Sequence, residues 1–369
     1  MITPAKRSQF IVQYNERQEN TMETGGFINN AEKSSPIRRV YNAKNVNKTP
    51  VLFMMVGIVG SGKTSFAENL CVERGEGWEA VKTKPIIHSS DTLRKELYGD
   101  ENIQGDNNKL FNELHRRIKA DLLNGNDVVY DATNINKRRR ADFLRQLNDI
   151  ECKKVCVCVL TPYDLCLEQN RNRGRVVPEE VIKRMYLNFQ PPALHEGFDN
   201  IILHFNYNNS DEVKERYTIY NYLFGNVGAV NIDQENSHHT LTIGDHCLEA
   251  AAYVRSHFYS LPLFTAALIH DNGKPFTKSR LNAKGEVDTE CHYYQHHCCG
   301  AYDSFFYTDN MPALKTSDKI YIANLIYFHM KPFTSWKQSE KAAKRDREMI
   351  GEDMYADIMK LHEADKAAK

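Results

Sequence analysis

The sequence predicts two domains of different class: an α/β domain whose parallel sheet is covered by helices on both faces, then an all-α domain. Three observations carry this. Five short apolar runs of buried-strand length recur between residues 51 and 205 with helical patterns between them, the alternation that builds a parallel sheet. After about residue 210 such runs vanish and long helical stretches replace them. A chain of 369 residues also exceeds the size at which one hydrophobic core stops growing. We place the domains at 49–210 and 225–369, with the boundary between Asp211 and Val230, behind an N-terminal arm over 1–48.

The arm is polar, rich in Asn and Glu, and shows neither a period of 2 nor of 3.6, so it is expected to be flexible or loosely docked. Order begins with VLFMMVG (51–57), and the same buried-strand character returns in KPIIHSS (84–90), DVVYDAT (127–133), KKVCVCVL (153–160) and NIILHF (200–205). Between them KTSFAENLCVE (63–73), NKLFNELHRRIKADLL (108–123) and KRRRADFLRQLNDI (137–150) read as helices. In KKVCVCVL, the alternating Cys156 and Cys158 are taken as strand packing. The second domain is expected to consist of helices over 243–258, 263–271, 294–306, 317–329 and 354–369.

Composition narrows the function class. No run approaches the roughly 18 apolar residues of a membrane span, and MITPAKRSQFIVQYNERQ lacks the apolar segment of a signal peptide. Nine cysteines without a disulfide spacing point to free thiols in a reducing cytosol. With 48 basic and 48 acidic residues, bulk charge does not advertise a nucleic-acid partner. Two local basic clusters, HRRIK (115–119) and KRRR (137–140), fit a solvated helix face or a phosphate contact equally well.

GIVGSGKT (57–64) matches G-x-x-x-x-G-K-[ST] between an apolar strand and a helix, the context this phosphate-binding loop requires. Gly57, Gly60, Ser61 and Gly62 form the cradle, Lys63 reaches the β and γ phosphates of ATP, and Thr64 offers its hydroxyl to Mg²⁺. A P-loop alone does not separate a motor, a switch and a kinase. In SSDTLRKELYGD, Asp91 and Arg94 lie at the carboxyl edge of the sheet where ligands bind, and DVVYDATN delivers Asp131 to the same edge. Asp91 also stands where a helix-capping carboxylate would. NRNRGRVVPEE (170–180) sets arginines before a Pro-initiated helix, suiting a lid over ATP.

Taken in order, GxxGSGKT, SSDxLRxELYGD, DATNxNxxRR and NxxRGRxVPEEVIxRM resemble the 5′-hydroxyl polynucleotide kinases of phages and bacterial RNA repair, over roughly residues 50–205. The resemblance implies that Asp91 is the general base for the acceptor 5′-OH, that Arg94 holds the adjacent phosphate, and that Arg173 neutralises the transferring phosphoryl group. It makes Asp131 a water-mediated Mg²⁺ contact. Arg171 and Arg175 are the less favoured arginines of the lid.

In the helical domain, LFTAALIHDNGKP ends an apolar helix on His270 and Asp271, adjacent side chains able to share one metal ion. His246 precedes them in GDHCLEAA, and Asp365 follows in LHEADKAA. The order H…HD…D and the HDNGKP context resemble the HD phosphohydrolase superfamily, over about residues 235–369. That resemblance implies His246, His270, Asp271 and Asp365 as ligands of a divalent transition metal, whether Mn²⁺, Fe²⁺, Co²⁺, Ni²⁺ or Zn²⁺. His296 and His329 fall where two-metal members carry further histidines; a structural or substrate-contacting role is the other reading. ECHYYQHHCCG (290–300) imitates a zinc knuckle but lacks a second ligand pair, so only His296 is retained from it and its cysteines are assigned to packing. His238, His239 and His362 are taken as helix-end or supporting residues.

Together the two resemblances imply a cytosolic end-healing enzyme of a bacterium or a phage-infected cell. It would phosphorylate 5′-OH ends of RNA or DNA, remove a 3′-terminal or 2′,3′-cyclic phosphate, and leave the ends for a separate ligase. Known bacterial fusions carry the HD part first, the reverse of the order here. A nucleoside or small-molecule kinase fused to an HD nucleotidase, and a nucleotide-sensing P-loop regulator, are the alternatives.

Overall fold

The computed structural model describes residues 39–42, 49–74, 81–103, 105–207, 211–237 and 239–368. The chain divides into two compact units. Among the described residues, one gathers those from 39 to Ile182 together with Pro192–Asn206; the other combines Lys183–Pro191 with those from Tyr207 onward.

The first unit is built on five parallel strands: β2 (Val51–Val56), β5 (Ile86–Ser89), β6 (Val128–Asp131), β7 (Lys153–Leu160) and β8 (Asn200–Phe205), in the order β5-β6-β2-β7-β8. Every residue of β2 is buried, as its uninterrupted apolar run requires for a central strand. Val51, Phe53 and Met55 pack with Phe66, Val129, Val155, Val157 and Val159 on one face. Helix α3 (Asn107–Leu123) buries Leu110, Leu114, Ile118 and Leu122, a stripe at four-residue spacing. Because later strands add on both sides of β2, the strand order reverses at its carboxyl end. Ligands bind at such a point.

Two expectations for this unit are corrected. The stretch 63–73 is not one helix: α1 covers Lys63–Glu68, Asn69 closes it, and Leu70–Arg74 is strand β3. Leu70 and Val72 are buried while Cys71 and Glu73 are half-buried, a period of 2 too short to stand out behind a helical run. β3 pairs in parallel with β1 (Arg39–Asn42) and antiparallel with β4 (Val81–Thr83). Four residues of the arm are thus a strand; the rest of residues 1–48, apart from 49 onward, lies outside the described residues.

The second unit is helical at its core, with α9 (Ile243–His257), α10 (Leu261–Ile269), α12 (His296–Asp309), α13 (Thr316–Phe328) and α16 (Glu352–Ala367). Shorter helices complete it: α7 (Asp211–Arg216), α8 (Ile219–Phe224), α11 (Lys274–Thr277), α14 (Ser335–Gln338) and α15 (Glu340–Ile350). It is not all-α. An antiparallel hairpin joins β9 (Ser279–Leu281) to β10 (Val287–His292). Its turn is NAKGE, in which Asn282 Oδ1 accepts from Lys284 N and Glu286 N and Gly285 takes φ 82°, a conformation suited to glycine. ECHYYQHHCCG therefore spans the end of a strand, a turn with Gln295 at φ 62°, and the first turn of α12. Its three cysteines are buried, and all nine thiols of the chain are free. Among the described residues no helix is long and apolar enough to cross a membrane.

Candidate active sites

The loop after β2 folds as its sequence demands. Gly60 and Gly62 hold φ 83° and 89°, and a Cβ at Gly60 would sit 2.2 Å from the Cys166 carbonyl oxygen. The Ser61 carbonyl accepts from Thr161 Oγ1 (2.9 Å) and from Asn206 Nδ2 (3.0 Å), so strands β7 and β8 fix the cradle from behind. Lys63 is buried and donates to the Ile58 carbonyl at 2.8 Å. Burial holds its ammonium below the usual range against the pull of Asp131. Thr64 Oγ1 donates to Asp131 Oδ2 at 2.9 Å, and burial raises that carboxyl. A buried cation, a hydroxyl and a carboxylate around a nest of backbone amides fit a nucleotide with its Mg²⁺.

On the acceptor side, helix α2 (Ser90–Tyr98) is capped by Ser89, whose hydroxyl accepts from Asp91 N at 3.3 Å. The Asp91 carboxylate is thereby spared from capping and stands partly exposed. Arg94 Nη1 donates to Asp91 Oδ1 at 3.2 Å and Nη2 to Asn107 Oδ1 at 3.2 Å, while its buried Nε has no hydrogen-bond partner. The lid loop leaves α5 (Tyr163–Arg171), and buried Asn170 clasps it, exchanging two hydrogen bonds with Val177 before α6 (Glu179–Tyr186) begins.

The three lid arginines are placed differently from one another. Arg173 is exposed, with its charge felt at Lys63 and Asp131. Arg171 pairs with Glu179 in solvent. Arg175, not favoured from the sequence, reaches Asp91 Oδ1 at 2.9 Å and Asn102 Oδ1 at 3.0 Å.

The basic cluster KRRR also divides. Arg140, read from sequence as solvated or phosphate-bound, is fully buried in a bidentate pair with Glu196 at 2.7 and 2.8 Å. Its Nη1 donates to the Asn134 carbonyl, and Asn134 Nδ2 to the Met55 carbonyl, so the pair anchors the loop that follows Asp131. In HRRIK, Arg116 and Arg117 are tied to Glu113, and Arg117 also to Glu96.

Residues 52–192 match the family model described as an AAA domain. Over 151 residues the chain is 28% identical to the L-seryl-tRNA(Sec) kinase of Methanococcus maripaludis, a match covering 40% of this chain and 56% of that protein. A solved structure from Chloroflexus aurantiacus j-10-fl, described as a candidate kinase, matches at 12% identity with a TM-score of 0.33, over 44% of this chain and 91% of its own. The first unit is similar in sequence to P-loop kinases. The chain spans only about half the length of its curated relative.

The helical unit brings together the six residues singled out as metal ligands. His270 closes α10, His329 closes α13, His296 opens α12, His246 lies in α9 and Asp365 in α16. Asp271 stands between two groups. Its Oδ2 is 3.6 Å from His246 Nε2 and 3.5 Å from His270 Nε2; its Oδ1 is 3.4 Å from His296 Nε2 and 3.9 Å from His329 Nε2. His246, His270 and Asp365 form one potential ligand set, and Asp271, His296 and His329 another.

Each imidazole is locked in one tautomer. The Nδ1 atoms face the carbonyl oxygens of Ala368 (2.5 Å), Ala267 (2.9 Å), Tyr293 (2.7 Å) and Ile326 (2.6 Å) for His246, His270, His296 and His329. A carbonyl only accepts, so each Nδ1 carries a proton and each Nε2 turns inward. The Nε2 atoms meet at 3.2 Å in both the His246–His270 and His296–His329 pairs, an arrangement that could take a cation. Burial would lower His246, but Asp365 and Asp271 hold it above the ordinary imidazole range. Burial drives His296 and His329 below the ordinary imidazole range, His329 to about 4. Burial would raise Asp271, but Lys274 and then the imidazoles hold it well below the usual carboxylate range. Cys247 also approaches His270, and burial pushes its thiol well up; with His270 and Asp271 it forms a further potential ligand group.

Lys274 and Gln234 were not found from the sequence. The Lys274 ammonium, buried, lies 2.7 Å from Asp271 Oδ2 and donates to Gln234 Oε1 at 2.6 Å. The signal was present in HDNGKP, where a lysine one turn past an aspartate can fold back on it. His239 packs edge-on against His246, ring centroids 4.9 Å apart, and His362 meets Phe333. His238 lies outside the described residues. A cleft of about 2200 Å³ opens onto the cluster, with Asp271, His296 and Asp365 in its lining.

Proposed function

We propose that the chain heals nucleic-acid ends: its kinase domain phosphorylates 5′-OH termini of RNA or DNA, and its helical unit is an HD-type hydrolase that removes a 3′-terminal or 2′,3′-cyclic phosphate. The observation that carries the reading is Asp271, one carboxylate whose two oxygens face two imidazole pairs beside a buried lysine, in a chain that also holds a phosphate cradle. For the kinase, Asp91 takes the 5′-OH proton as the oxygen attacks the γ phosphorus and ADP leaves. Arg94 meets the neighbouring acceptor phosphate, and Arg173 balances charge on the moving phosphoryl group. Divalent ions bound at the second site supply Lewis acidity and a water activated near neutral pH. The chain's own residues orient the ester: Lys274 presents a cation beside Asp271, and the four backbone carbonyls hold the imidazoles in place.

Labelled ATP, Mg²⁺ and a 5′-OH oligonucleotide test the first activity. Label should enter the oligonucleotide, and Asp91→Asn should abolish transfer while leaving phosphate release intact. Transfer only to mononucleosides would instead favour a small-molecule kinase. A second reading follows the likeness to L-seryl-tRNA(Sec) kinase: the acceptor hydroxyl belongs to an amino acid carried on RNA. Labelling of seryl-tRNA in preference to the 5′-OH end decides for it. His270→Ala with Asp271→Ala should remove Mn²⁺-dependent release of phosphate from 2′,3′-cyclic ends, and unchanged release sinks the hydrolase.

A further inference from the structure

The cleft over the Asp271 cluster, at about 2200 Å³, is well beyond the roughly 300–1,000 Å³ that encloses a drug-sized molecule. A mononucleotide at the metal ligands fills a fraction of it. One wall is made by α14 and α15, and its cations divide into two kinds. Arg347 is tied to Glu352, and Lys331 and Lys344 lie 4.0 Å from Asp346 and Glu348. Lys337 and Lys341 are exposed and carry no ion pair or hydrogen bond among the described residues.

Two large rings stand open in the same lining, Tyr294 at 48% exposure and Phe333 at 37%. Phe333 leans edge-on against His362, centroids 4.2 Å apart, and His362 sits one helical turn before the ligand Asp365. Exposed rings beside unneutralised lysines, leading away from a phosphate-processing centre, are the ingredients of a single-strand track, where bases stack on aromatic faces and cations follow the backbone. Glu290 and Glu340 also line the cleft, so its affinity rests on local contacts and not on bulk charge.

We propose that this wall binds the single-stranded nucleic acid that leads to the 3′ end, with Lys337 and Lys341 on backbone phosphates and Phe333 and Tyr294 under bases. The proposal rests on the hydrolase reading of the same cleft and makes its substrate a polynucleotide, not a free nucleotide.

Fluorescence anisotropy of the full chain decides it, using a single-stranded RNA of about ten nucleotides with fluorescein on its 5′ end, which closes that end to the kinase. Lys337→Ala with Lys341→Ala should reduce the slope of log affinity against log salt by about 1.4, since each phosphate contact on a single strand contributes roughly 0.7. Phe333→Ala should weaken binding by about 5- to 150-fold at fixed salt. In kinetics, the lysine variant should raise KM for a 2′,3′-cyclic oligonucleotide and leave a 2′,3′-cyclic mononucleotide unaffected. Unchanged affinity and slope in these variants overturns the track, as does equal loss on the mononucleotide. If the parent protein hydrolyses neither substrate, the hydrolase reading fails, while the anisotropy still judges the track.

Discussion

Gly273→Ala isolates the geometry that unites the two ligand sets. Gly273 has φ −82° and ψ −13°, so alanine adopts its backbone without strain. The obstacle is space. A Cβ there would lie 2.1 Å from the His296 carbonyl oxygen, 2.7 Å from Cys299 Sγ and 2.9 Å from Gly300 N. Two of those are backbone atoms of α12, so the helix must move. Opening 2.1 Å toward an ordinary contact of roughly 3.5 Å displaces it by about 1 Å. Overpacking of this size costs about 1–3 kcal/mol, partly offset by the roughly 0.4–1 kcal/mol that alanine gains by restricting the unfolded chain. The consequence for metal is larger. Ligand distances tolerate about ±0.2 Å, and His296 belongs to the set with Asp271 and His329, whereas His246, His270 and Asp365 lie outside α12. Equilibrium dialysis against Mn²⁺ followed by elemental analysis should find about one fewer ion per chain than in the parent. Full metal content with unchanged affinity in the variant would refute the reasoning.

Further perturbations probe other links. Glu196→Ala leaves Arg140 charged and buried and should cost about 3–5 kcal/mol in denaturant unfolding, loosening the Asp131 loop as well; a loss under 1 kcal/mol would contradict a structural pair. Removing Ala368 and Lys369 takes away the carbonyl that orients His246 and should lower metal affinity about 10- to 100-fold, read by competition with a chelating dye. His115 stacks on Phe143 with centroids 4.1 Å apart, and burial lowers its pKa to about 4 from an ordinary 6.5. The unfolded chain takes up this proton first, so the contribution is intact above about pH 6.5 and is lost as pH falls toward 4. By pH 5 the loss is about 1–2 kcal/mol, and His115→Phe should show a correspondingly flatter dependence of urea midpoint on pH.

Much of the first unit was legible because buried parallel strands write themselves as unbroken apolar runs, and a phosphate cradle needs glycines and a lysine at fixed spacing. β3 was not, since LCVER is only five residues and follows a helix without punctuation. The hairpin of the helical unit hid for a related reason: VDTECH alternates polar with half-buried residues, and only the NAKG turn announces it. Arg175 and Arg140 show a different limit. Arginines in a run share one local pattern, and which of them turns inward depends on partners far away, Asp91 and Glu196, that spacing does not encode. The six candidate ligands were all named from sequence, but the placing of Asp271 between two imidazole pairs, and the carbonyls behind each imidazole, exist only once the helices have packed.

Two of those imidazoles occupy carboxyl ends of helices. His270 and His329 close α10 and α13, and the carbonyls that hold their Nδ1 atoms, Ala267 and Ile326, are among the last of each helix, which no amide within the helix can satisfy. Two negative helix termini therefore converge on the pocket together with Asp271 and Asp365, against the single positive terminus of α12 at His296. On the hydrolase reading, that field would order loading by electrostatics: ions first, anionic substrate second. Inorganic phosphate should protect the metal-loaded protein from heat and leave the metal-free protein unprotected.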